Sequence, residues 1–266
     1  MKILIIGAGY WGRKIINVLK NFKKVKKIYI YDPYEKNKYG DKTTLIKNFE
    51  NKKNIKFAFI ASPLKHHLYY LKKLKKLNVP IFVEKPTVNR GEIKKEMKLL
   101  KSLRVFTGYV YLYKKFIKQI RKIIVKEKSK PLFINFERKN LGPVRNDTSV
   151  LYDLASHDLS ILNYLLNVKK IDNLKVLKNR FFNFSKNDDI FHILMKINDQ
   201  TLVNINVTWF NAIKERKITI FFKHIIIHYD EMTNIITEKK ITKNFYKREI
   251  YNVDHIKIKE KNYTSK

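Results

Sequence analysis

The glycine pattern near the amino terminus constrains the fold more than any other feature of the sequence. A short apolar run, Lys2 to Ile6, leads directly into Gly7-Ala8-Gly9-Tyr10-Trp11-Gly12, and Ile15, Ile16 and Leu19 follow at helical spacing. Strand, G-x-G-x-x-G and helix in this order form the context in which the motif binds a dinucleotide. The three glycines serve a tight turn, close approach to a pyrophosphate, and helix–strand packing. The segment therefore predicts a Rossmann domain, with Gly7, Gly9, Tyr10, Trp11 and Gly12 at the cofactor.

An acidic residue stands where the dinucleotide fingerprint requires one. A second apolar strand, Ile28 to Tyr31, ends in Asp32, about twenty residues after Gly12. A carboxylate at this place accepts hydrogen bonds from the adenosine ribose hydroxyls, which favours NAD over NADP. The alternative interpretation is that Asp32 only begins a turn with Pro33.

Strand-like and helix-like segments continue to alternate through the first half. The expected strands are Phe57 to Ala61, Ile81 to Glu84 and Val105 to Gly108, and the expected helices are Leu64 to Leu77 and Gly91 to Leu103. Such alternation predicts a doubly wound parallel sheet, which binds ligands at the carboxyl ends of its strands. We therefore expect the cofactor to be bordered by Ser62, Pro63, His66, Glu84 and Lys85.

The second half has a different pattern. After a helical stretch, Lys114 to Lys126, the expected strands are Leu132 to Arg138, Ile190 to Ile197, Thr201 to Trp209 and Ile218 to Tyr229. Few crossovers separate them, which predicts a mainly antiparallel sheet covered on one face by helices. The fold class is therefore α/β, with a Rossmann domain over residues 1–112 and an α+β substrate domain over residues 113–266.

One helix of the second half carries a candidate catalytic pair. Its apolar residues form a single stripe: Leu151, Ala155, Leu159, Leu162 and Leu166. Asp153 and His157 are four residues apart, so they share a face away from that stripe and would be presented to a cleft. The alternative is an ordinary solvated pair.

Taken in order, these motifs resemble the glucose-fructose oxidoreductase, inositol dehydrogenase and MocA (Gfo/Idh/MocA) family over roughly residues 1 to 230. The resemblance lies in the glycine motif, Ala61-Ser62-Pro63 with His66-His67, Glu84-Lys85-Pro86, and Asp153-Leu154-Ala155-Ser156-His157-Asp158. It implies that Lys85, Asp153 and His157 form the catalytic set, that the Lys85–Pro86 bond is cis, and that the open face of the second sheet mediates homo-oligomerisation. Family members continue with helices where this chain has a polar tail from Lys239 onward, so the resemblance is incomplete there.

These roles suit the oxidation of an alcohol by NAD. Hydride transfer leaves a proton on the hydroxyl oxygen, and imidazole titrates near neutrality, so His157 is the candidate general base. Asp153 would orient the hydroxyl or the imidazole. Lys85 would stabilise the developing alkoxide.

The polar loop Arg138 to Asp147 suggests the substrate class. Arg138 and Arg145 are suited to gripping phosphate or carboxylate, and Asn140 to binding sugar hydroxyls. The loop resembles that of the sugar-nucleotide dehydrogenases of the family, and the alternative is a polar loop that caps the helix. Two other functions stay open: a free-sugar or inositol dehydrogenase, and a non-catalytic NAD-binding regulatory or scaffold protein.

Composition narrows the remaining classes. The formal charge is +35, but the lysines are dispersed, which indicates compositional bias rather than a nucleic-acid footprint. There is no cysteine and no apolar segment long enough to cross a membrane, so we expect a cytoplasmic protein. His66 and His67 lack a third ligand at usable spacing, so no metal is expected. His192, His224 and His228 lie in strand-like segments and are expected to be half-buried sheet residues.

Overall fold

The computed structural model describes residues 1–88, 93–127, 129–145, 148–181, 187–241 and 259–263. The chain divides into two compact units, Met1–Tyr109 and Val110–Lys266. The boundary therefore lies slightly before the one expected after residue 112. Gly91, Asp147 and most of the tail after Lys239 lie outside the described residues.

The first unit alternates strands and helices as the sequence predicts. Its elements are β1 (Lys2–Ile6), α1 (Tyr10–Lys20), β2 (Lys27–Tyr31), β3 (Thr43–Leu45), β4 (Ile55–Ile60), α2 (His67–Leu74), β5 (Ile81–Val83), α3 (Ile93–Lys101) and β6 (Val105–Thr107). Single 3-10 turns, Leu64–His66 and Lys75–Leu77, flank α2. The short strand β3 was not expected, because three residues leave no readable period.

All pairings in the first sheet are parallel, in the order β3-β2-β1-β4-β5-β6. This confirms the doubly wound sheet. The order reverses between β1 and β4, which is where such sheets bind their ligands.

Alternate side chains of β1 are buried in two different hydrophobic clusters. Ile3 and Ile5 pack with Ile16 of α1, whereas Leu4 and Ile6 pack with Leu71 of α2. Because the side-chain period of a strand is two, a strand that is covered on both faces must be apolar at every position. The run of isoleucine and leucine in β1 therefore reflects its place in the middle of the sheet.

The second unit consists of one large sheet and two long helices. Its elements are α4 (Lys115–Lys126), β7 (Phe133–Lys139), α5 (Ser156–Leu166), β8 (Ile171–Asn179), β9 (Ile190–Ile197), β10 (Thr201–Thr208), β11 (Glu215–Phe221), β12 (Ile225–Asp230), β13 (Ile235–Lys240) and β14 (Lys259–Tyr263). A 3-10 turn, Val110–Tyr113, precedes α4, and a π-helical turn, Leu151–Ala155, leads into α5.

The eight strands are ordered β14-β13-β12-β11-β7-β10-β9-β8. Within this second sheet, β7 and β10 are the only described strands that pair in parallel. The expected mainly antiparallel sheet is therefore confirmed. The single strand expected from Ile218 to Tyr229 was wrong: a turn at residues 222–224 divides it into the hairpin β11–β12. Two strands that were not predicted, β13 and β14, extend this edge of the sheet.

The predicted stripe of this helix is only partly right. Ala155 and Leu162 are buried, and Leu151 and Leu166 pack against the core, but Leu159 is 37% exposed. Asp158, Ile161 and Leu165 are buried in its place. Asp158 is buried through its pairing with Arg138, so a stripe traced through apolar residues alone misses part of the buried face.

Candidate active site

The glycine loop lies at the carboxyl end of β1, and its conformation requires glycine at two of the three positions. Gly7 adopts φ +95°, and a Cβ there would lie 2.7 Å from the backbone of Ala61. A Cβ on Gly12 would lie 2.0 Å from the carbonyl oxygen of Gly7. A Cβ on Gly9 would meet nothing within 4 Å. Gly7 and Gly12 are thus required by the fold itself, while the space over Gly9 is open to a ligand.

Asp32 follows β2 and is tied to the glycine loop. Its Oδ2 accepts a hydrogen bond of 2.7 Å from the amide of Ala8, and its Oδ1 accepts one of 2.9 Å from the amide of Tyr34. Each carboxylate oxygen retains a further lone pair for a ribose hydroxyl. Tyr10 and Trp11, at the start of α1, are exposed.

An ion pair lies next to this corner. Arg13 donates from Nε to the carbonyl oxygen of Ala8 at 2.9 Å and from Nη2 to Glu35 at 3.1 Å. Glu35 also accepts from the Tyr39 hydroxyl and from the amide of Asn37. The Tyr39 hydrogen bond, helped by that amide and by Arg13, lowers the pKa of Glu35 to about 2. Glu35 is therefore ionised at neutral pH and holds the guanidinium of Arg13.

The Glu84-Lys85-Pro86 turn follows β5, and its Lys85–Pro86 bond is cis, as the resemblance implied. The amide of Glu84 donates to the carbonyl oxygen of Ile60 at 2.9 Å. A Cβ on Gly108 would lie 3.1 Å from the Glu84 carboxylate, so the glycine makes room for it. Burial raises the pKa of Glu84, opposed by the amide and charge of Lys85.

The adjacent histidines His66 and His67 have opposite environments. His66, which we expected at the cofactor, is exposed in a 3-10 turn. His67 is 1% exposed, with Nε2 at 2.8 Å from the carbonyl oxygen of Ser62 and Nδ1 at 3.0 Å from that of Pro86. Burial lowers the pKa of His67, opposed by its hydrogen bonds to the backbone. Sequence reasoning missed His67, because only tertiary burial distinguishes it from its neighbour.

In the second unit, Asp153 lies in the π turn and His157 in the first turn of α5. Asp153 accepts from Trp209 Nε1 and from Arg145 Nη1, each at 3.3 Å. His157 is buried to 8% exposure, and its ring meets that of Tyr111 edge to face at 4.6 Å. Trp209 and Tyr111 were not predicted. A π turn inside a helix is frequent at functional sites, which fits the position of this pair.

Arg138 does not have the environment that we expected of a substrate-binding residue. It is 3% exposed and donates from Nε and Nη2 to Asp158 Oδ1 at 2.9 and 2.7 Å. Its guanidinium also lies over the ring of Tyr111 at 4.3 Å. Burial acts to lower the pKa of Arg138, but the Asp158 carboxylate outweighs it and raises that pKa above its usual range. Arg138 is thus held in the interior by Asp158, against the same Tyr111 ring that His157 contacts.

The other two candidate substrate-binding residues differ from each other. Asn140 Oδ1 accepts from Arg216 at 2.6 Å, and its Nδ2 donates to the carbonyl oxygen of Gly142 at 2.7 Å. Its amide is thus already engaged. Arg145 has a side chain 43% exposed and contacts Asp153, so its guanidinium lies beside a proposed catalytic group and within reach of solvent.

The remaining histidines only partly match expectation. His192 and His228 are half-buried on strands, but His224 lies in the β11–β12 turn and pairs with Glu127 at 2.8 Å. Within the described part of the chain, no cluster of three or more His, Cys, Asp or Glu residues is placed to hold a metal. No helix in that part is both long and apolar enough to span a membrane.

Two family models match this chain. The model described as "Oxidoreductase family, NAD-binding Rossmann fold" matches residues 1–109, and the "GFO/IDH/MocA C-terminal domain" model matches residues 136–228. The chain belongs to the Gfo/Idh/MocA family. Its first unit is an NAD-binding Rossmann domain, and the resemblance inferred from the motifs is confirmed. No curated protein sequence matches the chain significantly.

Solved structures of other family-like proteins share this fold at low identity. UDP-N-acetylglucosamine 3-dehydrogenase GnnA from Acidithiobacillus ferrooxidans is 15% identical, with a TM-score of 0.79 over 100% of this chain and 84% of that one. GenD2 of gentamicin A biosynthesis, in complex with NAD, is 13% identical, with a TM-score of 0.75 over 88% and 73%. A protein from Sinorhizobium meliloti 1021 assigned as a myo-inositol dehydrogenase is 13% identical, with a TM-score of 0.74 over 86% and 75%.

The residues of the first unit fit NAD. The open space over Gly9 admits close approach of a pyrophosphate, and the first amides of α1 have no acceptor within the helix. Asp32 stands at the end of β2, held by two amides in a fixed orientation. The glycine loop would thus hold the pyrophosphate, and Asp32 the adenosine ribose, of the dinucleotide that the family binds there.

Proposed function

We propose that the protein transfers a hydride between NAD and a hydroxyl-bearing carbon of a sugar or sugar nucleotide. The observation that carries the proposal is the setting of Asp153 and His157. Asp153 lies in the π turn that leads into α5 and accepts hydrogen bonds from Trp209 and Arg145. His157 lies in the first turn of α5, with its imidazole against the ring of Tyr111. Two ionisable side chains positioned in this way suit proton transfer and substrate orientation.

The chemistry divides into a hydride and a proton. Bound NAD supplies the hydride acceptor. As the carbonyl forms, His157 accepts the hydroxyl proton, and it returns a proton in the direction of reduction. Lys85 stabilises the negative charge that develops on the oxygen, and Asp153 orients the hydroxyl. These three roles rest on the family motif and are assigned residue by residue.

A nucleotide-linked sugar is the substrate class that we favour. Arg145 is partly exposed beside Asp153 and can bind a phosphate or carboxylate. One of the proteins with this fold, GnnA, is a UDP-N-acetylglucosamine 3-dehydrogenase. A free sugar or an inositol is the second candidate, since a structure assigned as a myo-inositol dehydrogenase shares the fold as well.

Three further features belong to the same proposal. Asp32 and its acidic neighbour Glu35 favour NAD over NADP. The face of the large sheet away from α4 and α5 would mediate self-association, which light scattering coupled to gel filtration measures. The location would be the cytoplasm.

The test is NADH formation from NAD with a panel of UDP-sugars, free sugars and inositols. We expect wild-type turnover on one nucleotide sugar, and a loss of about 10²-fold or more in kcat for His157→Ala and for Lys85→Ala. His192→Ala, a half-buried strand residue outside the proposed site, is the control.

The outcome also separates the rival classes. Turnover restricted to polyols would favour a free-sugar or inositol dehydrogenase. If wild-type protein binds NADH and turns over none of the compounds, a non-catalytic NAD-binding regulatory or scaffold protein becomes the better description.

A further inference from the structure

The buried imidazole of His67 joins the two turns that follow β4 and β5. Its Nε2 lies 2.8 Å from the carbonyl oxygen of Ser62, and its Nδ1 lies 3.0 Å from that of Pro86. Ser62 follows β4, and Pro86 directly follows Lys85. We infer that His67 is a positioning residue, which holds the Lys85–Pro86 turn against the Ser62 turn and thereby places the amine of Lys85.

The surroundings of His67 make it a rigid link. His67 is the first residue of α2, and Leu71 and Leu74 of this helix are fully buried. The helix therefore anchors the imidazole. Both partners are carbonyl oxygens, which only accept. A neutral imidazole donates to one of them at a time, and an imidazolium donates to both. Loss of the ring would remove the donor from the carbonyl group that it serves, at a partly buried contact.

Other contacts hold the two ends of the same turn. The amide of Glu84 donates to Ile60, and the hydroxyl groups of Thr87 and Thr107 lie 2.7 Å apart. His67 contacts the carbonyl group between these points, directly after Lys85. It therefore holds the backbone of the turn at the residue next to Lys85.

The link matters because a small displacement of a group at the reacting centre lowers the reaction rate strongly. A misplacement of about 1 Å can cost about 10²-fold. The inference rests on the proposed function for the role of Lys85, while the link between the turns rests on the distances alone. The two parts are therefore tested separately.

The first experiment measures the link without any substrate. Hydrogen–deuterium exchange of the full chain is compared between wild type and His67→Gln, with His67→Asn in its place if the first variant does not fold. We expect faster exchange in residues 61–66 and 84–88, with no change in β1. His228→Gln removes a hydrogen-bonded histidine that is half-buried in the second unit, and it should leave both segments unchanged. Unchanged exchange in both segments of the His67 variant would overturn the inference.

The second experiment tests action through Lys85. We measure kcat per NADH-binding site, so that misfolded protein does not count, for His67→Gln, Lys85→Ala and the double variant. His67→Gln should lower kcat about tenfold or more, with NADH affinity within about threefold of wild type. In the Lys85→Ala background the same change should cost nothing further, since residues that act as a unit are not additive.

The outcomes separate this inference from the proposed function. A full additional loss in the Lys85→Ala background, or a His67→Gln enzyme as active as wild type, would contradict the positioning role. If wild type turns over no substrate, the proposed function fails, and the exchange result alone decides whether His67 links the two turns.

Discussion

The buried ion pair between Arg138 and Asp158 allows a quantitative prediction. Both side chains are almost fully buried, at 4% and 2% exposure, and two N–H groups of Arg138 donate to one oxygen of Asp158. Arg216 lies directly opposite Arg138 on the neighbouring strand. Removal of either partner therefore leaves an uncompensated charge, but the two cases differ.

Asp158→Asn should be the more damaging change. A guanidinium cannot deprotonate in a protein, so Arg138 would remain charged and would face Arg216 without its carboxylate. Breaking a buried pair in this way costs about 3–5 kcal/mol. For a unit of this size, each kcal/mol lowers Tm by about 2–4 °C, so we expect a fall of roughly 6–20 °C.

Arg138→Met should show a deficit that depends on pH. Burial raises the pKa of Asp158, and Arg138 opposes that rise, so the variant loses the opposing effect. A carboxyl whose folded-state pKa lies above its unfolded value stabilises the fold at low pH, and that contribution is lost as pH rises through the folded-state pKa. Arg138→Met should therefore lose less stability at acidic than at neutral pH. Asp158→Asn has no carboxyl group at this position, so its loss should not become smaller at acidic pH.

Tryptophan fluorescence during thermal unfolding is the assay. The chain has two tryptophans, and a Trp11→Phe background leaves Trp209 to report on the second unit. Asp199→Asn, which breaks an exposed pair with Lys170, is the matched control and should not change Tm measurably.

The double variant Arg138→Met/Asp158→Leu should recover to near the wild-type Tm, because an apolar pair leaves no charge buried. Equal losses in Asp158→Asn and the exposed control would refute the reasoning. So would a double variant as unstable as Asp158→Asn.

Three substitutions in the glycine loop and beside it test the cofactor site. Gly12→Ala would force its Cβ to within 2.0 Å of the Gly7 carbonyl oxygen. The free energy of unfolding should fall by about 1–3 kcal/mol or more, which lowers Tm, and NADH binding should weaken as well. Gly9→Ala meets no protein atom and should leave Tm unchanged while NADH binding, followed by fluorescence, weakens; a Kd equal to that of wild type would contradict the site. Glu35→Gln should release Arg13 and raise the affinity for NADPH relative to NADH severalfold, and an unchanged ratio of the two Kd values would show that Glu35 does not contribute to cofactor choice.

Local patterns in the sequence were sufficient for the Rossmann domain. The motif at Gly7 to Gly12, the following helix and Asp32 are adjacent in the chain, and the chemistry of each is set within a few residues. The same holds for the Lys85–Pro86 turn. Short-range patterns of this kind can be recognised in the sequence because turn geometry and strand period depend on neighbouring residues.

The errors arose where a residue's role depends on distant partners. Arg138 was assigned to the substrate because an arginine at the edge of a polar loop resembles an anion-binding group, yet Asp158 and Tyr111 hold it in the interior. The leucine stripe was partly misplaced because the buried face includes Asp158, a polar residue that a search for apolar positions does not select. The burial of His67 was not predicted, because two adjacent histidines carry no signal of which one is buried.

The sequence by itself therefore determined the class of fold and the cofactor, and it supplied the residues that we propose as the catalytic set. Only the tertiary structure decided which polar side chains are engaged with one another: His67 with the two turns, Arg138 with Asp158, and Asn140 with Arg216. The physical reason is that a motif depends on local backbone geometry, whereas a buried hydrogen bond depends on which strands and helices become neighbours. The sequence pattern does not contain that information in readable form.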